Sequence, residues 1–159
     1  MSVDVGQRAP DVTLVSHDRK PVRISELLGK PTVLAFFPGA FTSVCTREMC
    51  TFRDHLGRFK EELNAQVVAI SVDTPFAQKA FADQHGLNFT LLSDFNRQAV
   101  RAFGIEDPHF VKGLLPGVAK RSVFVLDKDG RVTYKWVSDD PGVEPNYDEV
   151  AAAVGNVTR

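Results

Sequence analysis

Hydrophobic and polar positions alternate along this chain in short segments, which predict strands and helices in turn. Residues 12–24 predict a β-hairpin around a polar turn, followed by a short helical turn with Ser25 as its N-cap. The continuous apolar run 32–37 then predicts a strand that is buried on both faces of a sheet. Pro38 and Gly39 end this strand, because proline and glycine interrupt regular structure.

The longest helix is predicted from residue 43 to residue 63. Its apolar residues recur at intervals of three and four positions, which places them on one face of the helix. They are Met49, Phe52, Leu56, Phe59 and Leu63.

The rest of the chain continues this alternation. The predicted elements are strands at 67–72 and 89–92, helices at 75–85 (with Thr74 as N-cap) and 97–103, an irregular loop at 105–120, a hairpin at 122–137, and a closing helix at 147–154. Such alternation predicts an α/β fold with a central mixed β-sheet flanked by helices, and with an N-terminal β-hairpin. Active sites of this class gather at the carboxyl ends of parallel strands, where the turn from Pro38 to Cys45 lies.

Composition narrows the class of protein. A length of 159 residues predicts a single domain, residues 1–159. The formal charge of −1 disfavours partners such as nucleic acid or anionic lipid. No apolar run reaches the length of about 18 residues that a membrane span needs, and the N-terminus lacks a targeting pattern, so a cytoplasmic protein is expected.

Cys45 is the first candidate for chemistry. The apolar face of the long helix continues back from Met49 to Cys45, so the thiol lies in the first helical turn. Free N–H groups and the helix dipole favour negative charge there, and Cys45 is expected to be largely thiolate at neutral pH. A small buried core residue is the alternative. Thr42, three positions earlier, is either the N-cap of the helix or a catalytic hydroxyl.

Cys50 is the second cysteine of the chain, and there is no other. Two thiols are too few for a secreted disulfide framework, and they suggest thiol or metal chemistry in a reducing compartment. An intact helix separates the Cα atoms of Cys45 and Cys50 by about 8.6 Å, beyond the ~7 Å limit for a disulfide. A bridge between them would require the first helical turns to unwind, and it would be labile.

Metal and hydrolase sites are alternatives that the sequence supports less well. A closed zinc site needs four ligands, commonly with a second cysteine pair, which this chain lacks. His55 lies ten positions after Cys45, or about 15 Å along the helix, too far to act as its general base. His17, His85 and His109 are left as candidates that the fold could bring closer.

The segment around Cys45 resembles a known family. Pro38, Thr42 and Cys45 match the Pro-x-x-x-Thr-x-x-Cys signature of peroxiredoxins, and the likeness extends through residues 6–11, 52–54, 91–94 and 121–127. The position of Cys50 is similar to that in the bacterioferritin-comigratory-protein or PrxQ type, whereas Pro-Gly-Ala-Phe is closer to AhpE-type members. The resemblance implies a thioredoxin-like fold.

The resemblance also implies roles for individual residues. Without it, Arg121 would be read as an exposed charge at a strand edge, and Glu48 as an ordinary first-turn glutamate. The implied roles are the peroxidatic thiol for Cys45, the resolving thiol for Cys50, a hydroxyl that contacts thiolate and peroxide for Thr42, a shield of the pocket for Pro38, an activating guanidinium for Arg121, and an orienting acid for Glu48.

The implied activity is the reduction of hydrogen peroxide and organic hydroperoxides without a metal or other cofactor. Cys45 would form a sulfenic acid, Cys50 would condense with it, and a thioredoxin-like dithiol protein would reduce the disulfide. The resemblance leaves open a monomer or a weak homodimer. Alternatives are a one-cysteine peroxiredoxin or redox sensor, a thiol-disulfide exchanger and a non-enzymatic interaction module.

Overall fold

A computed structural model describes residues 3–158 of the protein, with their side chains except at positions 56–58, 62 and 158. Strands and helices alternate along this range. The strands are β1 (Thr13–Ser16), β2 (Pro21–Arg23), β3 (Thr32–Phe36), β4 (Gln66–Ser71), β5 (Thr90–Ser93), β6 (Glu106–Asp107), β7 (Val118–Ala119), β8 (Ser122–Leu126) and β9 (Val132–Val137). The α-helices are α1 (Ser43–Gly57), α2 (Pro75–His85), α3 (Gln98–Ala102) and α4 (Tyr147–Thr158).

Seven of the strands form one mixed sheet in the order β2-β1-β5-β4-β3-β8-β9. The central strands β3, β4 and β5 are parallel, while β1 and β8 join them in antiparallel orientation. The β1–β2 pair is the N-terminal hairpin that the sequence predicted. The prediction of a thioredoxin-like α/β fold, with a mixed sheet flanked by helices, is therefore confirmed.

Strand β3 is buried over its whole length, as its continuous apolar run predicted. Side chains alternate between the two faces of a strand, so β3 contributes to two hydrophobic clusters. Val33 and Ala35 pack in the cluster that includes buried residues of α1, and Leu34 and Phe36 pack in the cluster on the opposite face of the sheet. The end of β3 is consequently held from both sides.

The apolar face of α1 packs against the sheet. Met49 and Phe52 of α1 are fully buried, and Leu56 lies outside the described side chains. Beyond the end of α1, Phe59 is fully buried and Leu63 is partly buried. The prediction of one α-helix to residue 63 is wrong at its end, because α-helical bonding stops at Gly57 and a π-helical turn follows at Arg58–Glu62. The Ala65 N–H donates to the Phe59 carbonyl at 2.6 Å and leads the chain into β4.

Two other predictions need correction. The helical turn after the hairpin is a 3-10 turn at Ile24–Leu27, and Ser25 does not cap it. Instead, the Ser25 N–H donates to a carboxylate oxygen of Asp11 at 3.0 Å. The segment 105–120 is not wholly irregular, since β6 and β7 form a small separate sheet within it.

No described helix is long and apolar enough to cross a membrane.

Helix α2 has the ends that its sequence predicted. The Thr74 hydroxyl accepts a hydrogen bond from the Ala77 N–H at 3.2 Å, and Pro75 occupies the first helical position. Gly86 ends the helix in the left-handed conformation, with φ of 60°. Local capping chemistry therefore fixes both ends of α2.

We expect Thr74→Ala to lower the free energy of unfolding by about 1 kcal/mol, because the N-cap acceptor is lost. Urea unfolding followed by circular dichroism would measure the change. Thr51→Ala is the matched control, since the Thr51 hydroxyl donates within α1 to the Arg47 carbonyl and caps no N–H group. An equal loss of stability in both variants would contradict the capping role.

Candidate active site

Cys45 lies in the first turn of α1 and is fully buried. The chain reaches it from the end of β3, where the Phe37 N–H still donates to the Ile70 carbonyl of the parallel neighbour β4 at 3.0 Å. The sulfur is therefore near the carboxyl ends of the parallel strands, the edge at which the sequence placed the candidate site.

Arg121 contacts both Cys45 and Glu48. Its Nη2 lies 3.0 Å from the Cys45 sulfur and its Nη1 lies 2.7 Å from Glu48 Oε1. The antiparallel register explains the position, because Phe36 pairs with Ser122 and so sets Arg121 beside the residue that follows β3. The Arg121 side chain is only 2% exposed, so Arg121 is not the exposed strand-edge charge that its sequence context alone suggested.

Arg121 has a further partner that the sequence did not indicate. The Pro141 carbonyl, in the segment between β9 and α4, accepts from Arg121 Nε at 3.1 Å and from Nη2 at 2.9 Å. A main-chain carbonyl leaves no side-chain signal in a sequence. The guanidinium fork is thus fixed by a sulfur, a carboxylate and a peptide oxygen.

Glu48 is fully buried one helical turn after Cys45. Burial raises the pKa of its carboxyl to about 7, although the charge of Arg121 and the hydrogen bond from it act in the opposite direction. Among the described residues, none donates a hydrogen bond to the second carboxylate oxygen, Oε2. Glu48 is therefore a carboxyl whose charged form depends on Arg121.

The turn before α1 contains the two remaining members of the predicted signature. Pro38 is buried, whereas Thr42 is exposed. The Thr42 hydroxyl donates to the Gly39 carbonyl at 2.9 Å, and its oxygen retains lone pairs that can accept from a ligand. Phe41 adopts a left-handed conformation, with φ of 67°, and its ring packs edge-on against Phe81 at 5.2 Å.

Asp73 supports this turn and was missed by the sequence interpretation. Its Oδ2 accepts a hydrogen bond from the Ala40 N–H at 2.8 Å. Asp73 lies two residues after the end of the parallel strand β4, and a carboxylate at the carboxyl end of a parallel strand was a signal that could have found it.

Cys50 lies on the same helix as Cys45, and neither cysteine forms a disulfide. Cys50 is partly exposed and Cys45 is buried. Since α1 is continuous from Ser43 to Gly57, the intact helix keeps the two thiols at the spacing that prevents a disulfide. Any bond between them requires this helix to open.

Neither the hydrolase nor the metal alternative finds support in the site. The hydrogen-bond partner of the Cys45 sulfur is a guanidinium, which cannot act as a general base. His17 bonds to the main chain of Leu91, and His55 packs against the ring of Tyr147. Over residues 3–158, no group of three His, Cys, Asp or Glu side chains is arranged to hold a metal ion.

Comparison with known proteins gives consistent matches. The AhpC/TSA family profile matches residues 5–135. The chloroplastic Peroxiredoxin Q of Populus jackii is 42% identical over 130 residues, which are 82% of this chain and 58% of that protein. Peroxiredoxin Bcp of Bacillus subtilis (strain 168) is 36% identical over 138 residues, covering 86% of each chain. The crystal structure of Peroxidoxin BcpB from Mycobacterium tuberculosis superposes with a TM-score of 0.85 at 31% identity, covering 98% of each chain. The chain thus spans less than two thirds of the chloroplastic relative.

We expect Glu48→Gln to change how stability depends on pH. The pKa of Glu48 in the folded protein, about 7, lies above its ordinary value of 4.5, so Glu48 binds its proton more tightly when folded. It therefore contributes stability at low pH that is lost as pH rises from about 4.5 through about 7. The amide variant keeps an acceptor for Arg121 but should lack this loss, which amounts to as much as about 3 kcal/mol.

Urea unfolding at about pH 4 and about pH 8 would measure the change in the free energy of unfolding in both proteins. Glu26→Gln is the control, because Glu26 is exposed, and it should keep the pH dependence of the wild type. A Glu48→Gln protein with the same pH dependence as the wild type would show that Glu48 is not the titrating group.

Proposed function

The chain belongs to the AhpC/TSA family of peroxiredoxins, and we propose that it is a thiol peroxidase in which Cys45 reduces hydrogen peroxide and organic hydroperoxides. The contact that carries this proposal is the 3.0 Å approach of the Arg121 guanidinium to the buried Cys45 sulfur. A permanently charged donor on a buried sulfur favours the thiolate, which is the nucleophilic form of cysteine. It also supplies positive charge beside the atom at which an oxidant would react.

In the first step the Cys45 thiolate attacks one oxygen of the hydroperoxide. A sulfur–oxygen bond forms while the oxygen–oxygen bond breaks, so Cys45 is oxidised to a sulfenic acid and the peroxide is reduced. The departing oxygen takes up a proton and leaves as water or an alcohol. Negative charge moves from the sulfur towards this oxygen in the transition state, where fixed donors are most effective.

Several surrounding groups contribute to the stabilisation of this transition state. Arg121 provides donors that stay protonated. The first N–H groups of α1, which have no partner within the helix, are further donors at its N-terminus. The Thr42 hydroxyl donates a hydrogen bond to the Gly39 carbonyl, so its oxygen is available to accept one from the O–H of a hydroperoxide. Pro38 is buried beside the turn and restricts the entry of water. Glu48 holds the guanidinium in place without contacting the reacting atoms.

In the second step we propose that Cys50 resolves the sulfenic acid. The first turns of α1 unwind, the Cys50 thiol displaces water from the Cys45 sulfur, and a disulfide forms. A thioredoxin-like dithiol protein then reduces the disulfide and returns both cysteines to thiols. The partial exposure of Cys50 and its place only five positions away support this role.

The exposed side-chain contacts of the first turns of α1 add little resistance to their opening. Arg47, between the two cysteines, is paired with Glu144 at 3.4 Å, and Glu144 in turn accepts from the Tyr147 hydroxyl at 2.8 Å. The Arg47 side chain is 58% exposed, and an ion pair of this kind contributes little to stability. The main contacts to be broken are buried ones: those of Cys45 and Glu48 with Arg121, and the packing of Met49 in the core.

We expect Cys50→Ser to keep the first reaction with peroxide and to lose thioredoxin-driven cycling. The serine hydroxyl cannot form a disulfide, so the Cys45 sulfenic acid has no intramolecular thiol partner. Mass spectrometry after one equivalent of hydrogen peroxide, with and without thiol blocking, would distinguish the species. The wild type should lose two hydrogen atoms at Cys45 and Cys50, and the variant should gain one oxygen on Cys45.

Cys45→Ser is the matched control for Cys50→Ser, and it should not react with peroxide at all. Full cycling of Cys50→Ser with a thioredoxin system would exclude the resolving role and would leave the one-cysteine alternative, in which another thiol reduces Cys45. If both cysteines of the wild type stay unmodified after peroxide treatment, the proposed peroxidase function is refuted.

We expect Arg121→Ala to lower the second-order rate constant for peroxide by about 10²-fold or more, because a fixed charged donor at the reacting atoms is lost. Arg121→Lys should restore only part of the rate, since one ammonium cannot reproduce a planar fork that meets both the sulfur and Glu48. Stopped-flow mixing with excess peroxide would give the rate constants. Arg101→Ala is the control, because Arg101 is exposed and pairs with Glu106.

A further inference from the structure

One carboxylate oxygen joins the Pro38–Thr42 turn to the neighbouring strand. Asp73 Oδ2 accepts from the Ala40 N–H at 2.8 Å and from the Ser71 hydroxyl at 2.7 Å. We propose that Asp73 is a positioning residue for peroxide reduction, which holds the turn so that Thr42 stands beside Cys45. This inference rests on the peroxidase function proposed above.

Asp73 is itself held by a chain of polar contacts. The Ser93 hydroxyl donates to the Asp73 carbonyl at 2.6 Å, which fixes its main chain. Gln78 of α2 donates from Nε2 to the Ser71 hydroxyl at 2.9 Å and to the Leu92 carbonyl at 2.8 Å. Ser71 and Gln78 are fully buried, so the carboxylate has one well-defined orientation.

The turn needs such support because its conformation is unfavourable on its own. Phe41 has φ of 67°, a left-handed conformation that costs free energy for a bulky residue such as phenylalanine. Ala40 directly precedes Phe41, and Thr42 follows it, so the Asp73 bond acts at the start of the strained segment. Losing this bond would let Phe41 relax and would move the Thr42 hydroxyl away from the reacting atoms.

Capping of α2 does not account for Asp73. The Thr74 hydroxyl already accepts from the Ala77 N–H at the start of that helix. The carboxylate of Asp73 points instead across the sheet edge to the turn after β3. Its contribution is thus to the Cys45 side of the structure.

Asp73 positions the turn through its acceptor oxygen and not through its negative charge. A single oxygen accepts both hydrogen bonds, and both donors, a main-chain N–H and a serine hydroxyl, are uncharged. The side-chain oxygen of asparagine can accept the same two bonds. Asp73→Asn should therefore preserve the turn, and Asp73→Ala should release it.

The test compares Asp73→Ala and Asp73→Asn with the wild type by two reactions of Cys45. Stopped-flow mixing gives the rate constant with hydrogen peroxide, and mass spectrometry gives the rate of alkylation of Cys45 by iodoacetamide, which does not need the Thr42 hydroxyl. We expect Asp73→Ala to lose about 10- to 100-fold in the peroxide reaction, as a small misplacement of catalytic groups does. Alkylation should change by less than about 3-fold, and Asp73→Asn should react with peroxide within about 3-fold of the wild type.

Asp83→Ala is the control, because Asp83 lies on the exposed side of α2 and pairs with Lys79. Equal losses in the alanine and asparagine variants would overturn the proposal, as would parallel losses in the peroxide and alkylation reactions, which would indicate a general disturbance of the fold. An unchanged peroxide rate in Asp73→Ala would overturn it as well.

Amide hydrogen exchange at Ala40, followed by NMR, separates this proposal from the proposed function. Exchange should accelerate in Asp73→Ala and not in Asp73→Asn, because only alanine removes the acceptor. A wild type that does not react with peroxide would refute the peroxidase function, while unaltered exchange at Ala40 in Asp73→Ala would refute the positioning of the turn by Asp73.

Discussion

The site depends on the buried guanidinium of Arg121. It lies between the Cys45 sulfur and the Glu48 carboxylate, and both of these groups are fully buried. A buried carboxylate would be costly in this position without the cation, and the buried cation would be costly without its acceptors. The three side chains therefore form one hydrogen-bonded unit, in which the loss of any member leaves another buried polar group without a partner.

The fold assembles this unit from distant parts of the chain. The thiol and the carboxylate come from one helical turn of α1, the guanidinium comes from the residue before β8, and the antiparallel pairing of β3 with β8 sets them side by side. The turn between β3 and α1 is fixed separately, by the contact of Ala40 with Asp73 beyond β4. Three neighbouring strands of one sheet thus determine the surroundings of the Cys45 sulfur.

Patterns that act over a few residues could be predicted from the sequence. The apolar run of β3, the buried face of α1 and the caps of α2 follow from periodicity and from local hydrogen-bonding chemistry. Contacts between residues distant in sequence could not be predicted in this way. The pairing of β6 with β7, the Pro141 carbonyl and the Asp73 bond depend on which segments meet after folding. A role for Arg121 at the site was indicated only by the family resemblance, and its burial against Cys45 and Glu48 depends on the pairing of β3 with β8.

The bonds from Arg121 to the Pro141 carbonyl have an evolutionary consequence. Every residue type carries a peptide oxygen, so substitutions in the segment between β9 and α4 can accumulate without removing this partner. Insertions or deletions there would displace it, since they change the path of the backbone. Divergent homologues that retain the guanidinium should accordingly preserve the length of this loop more strictly than its amino-acid identities.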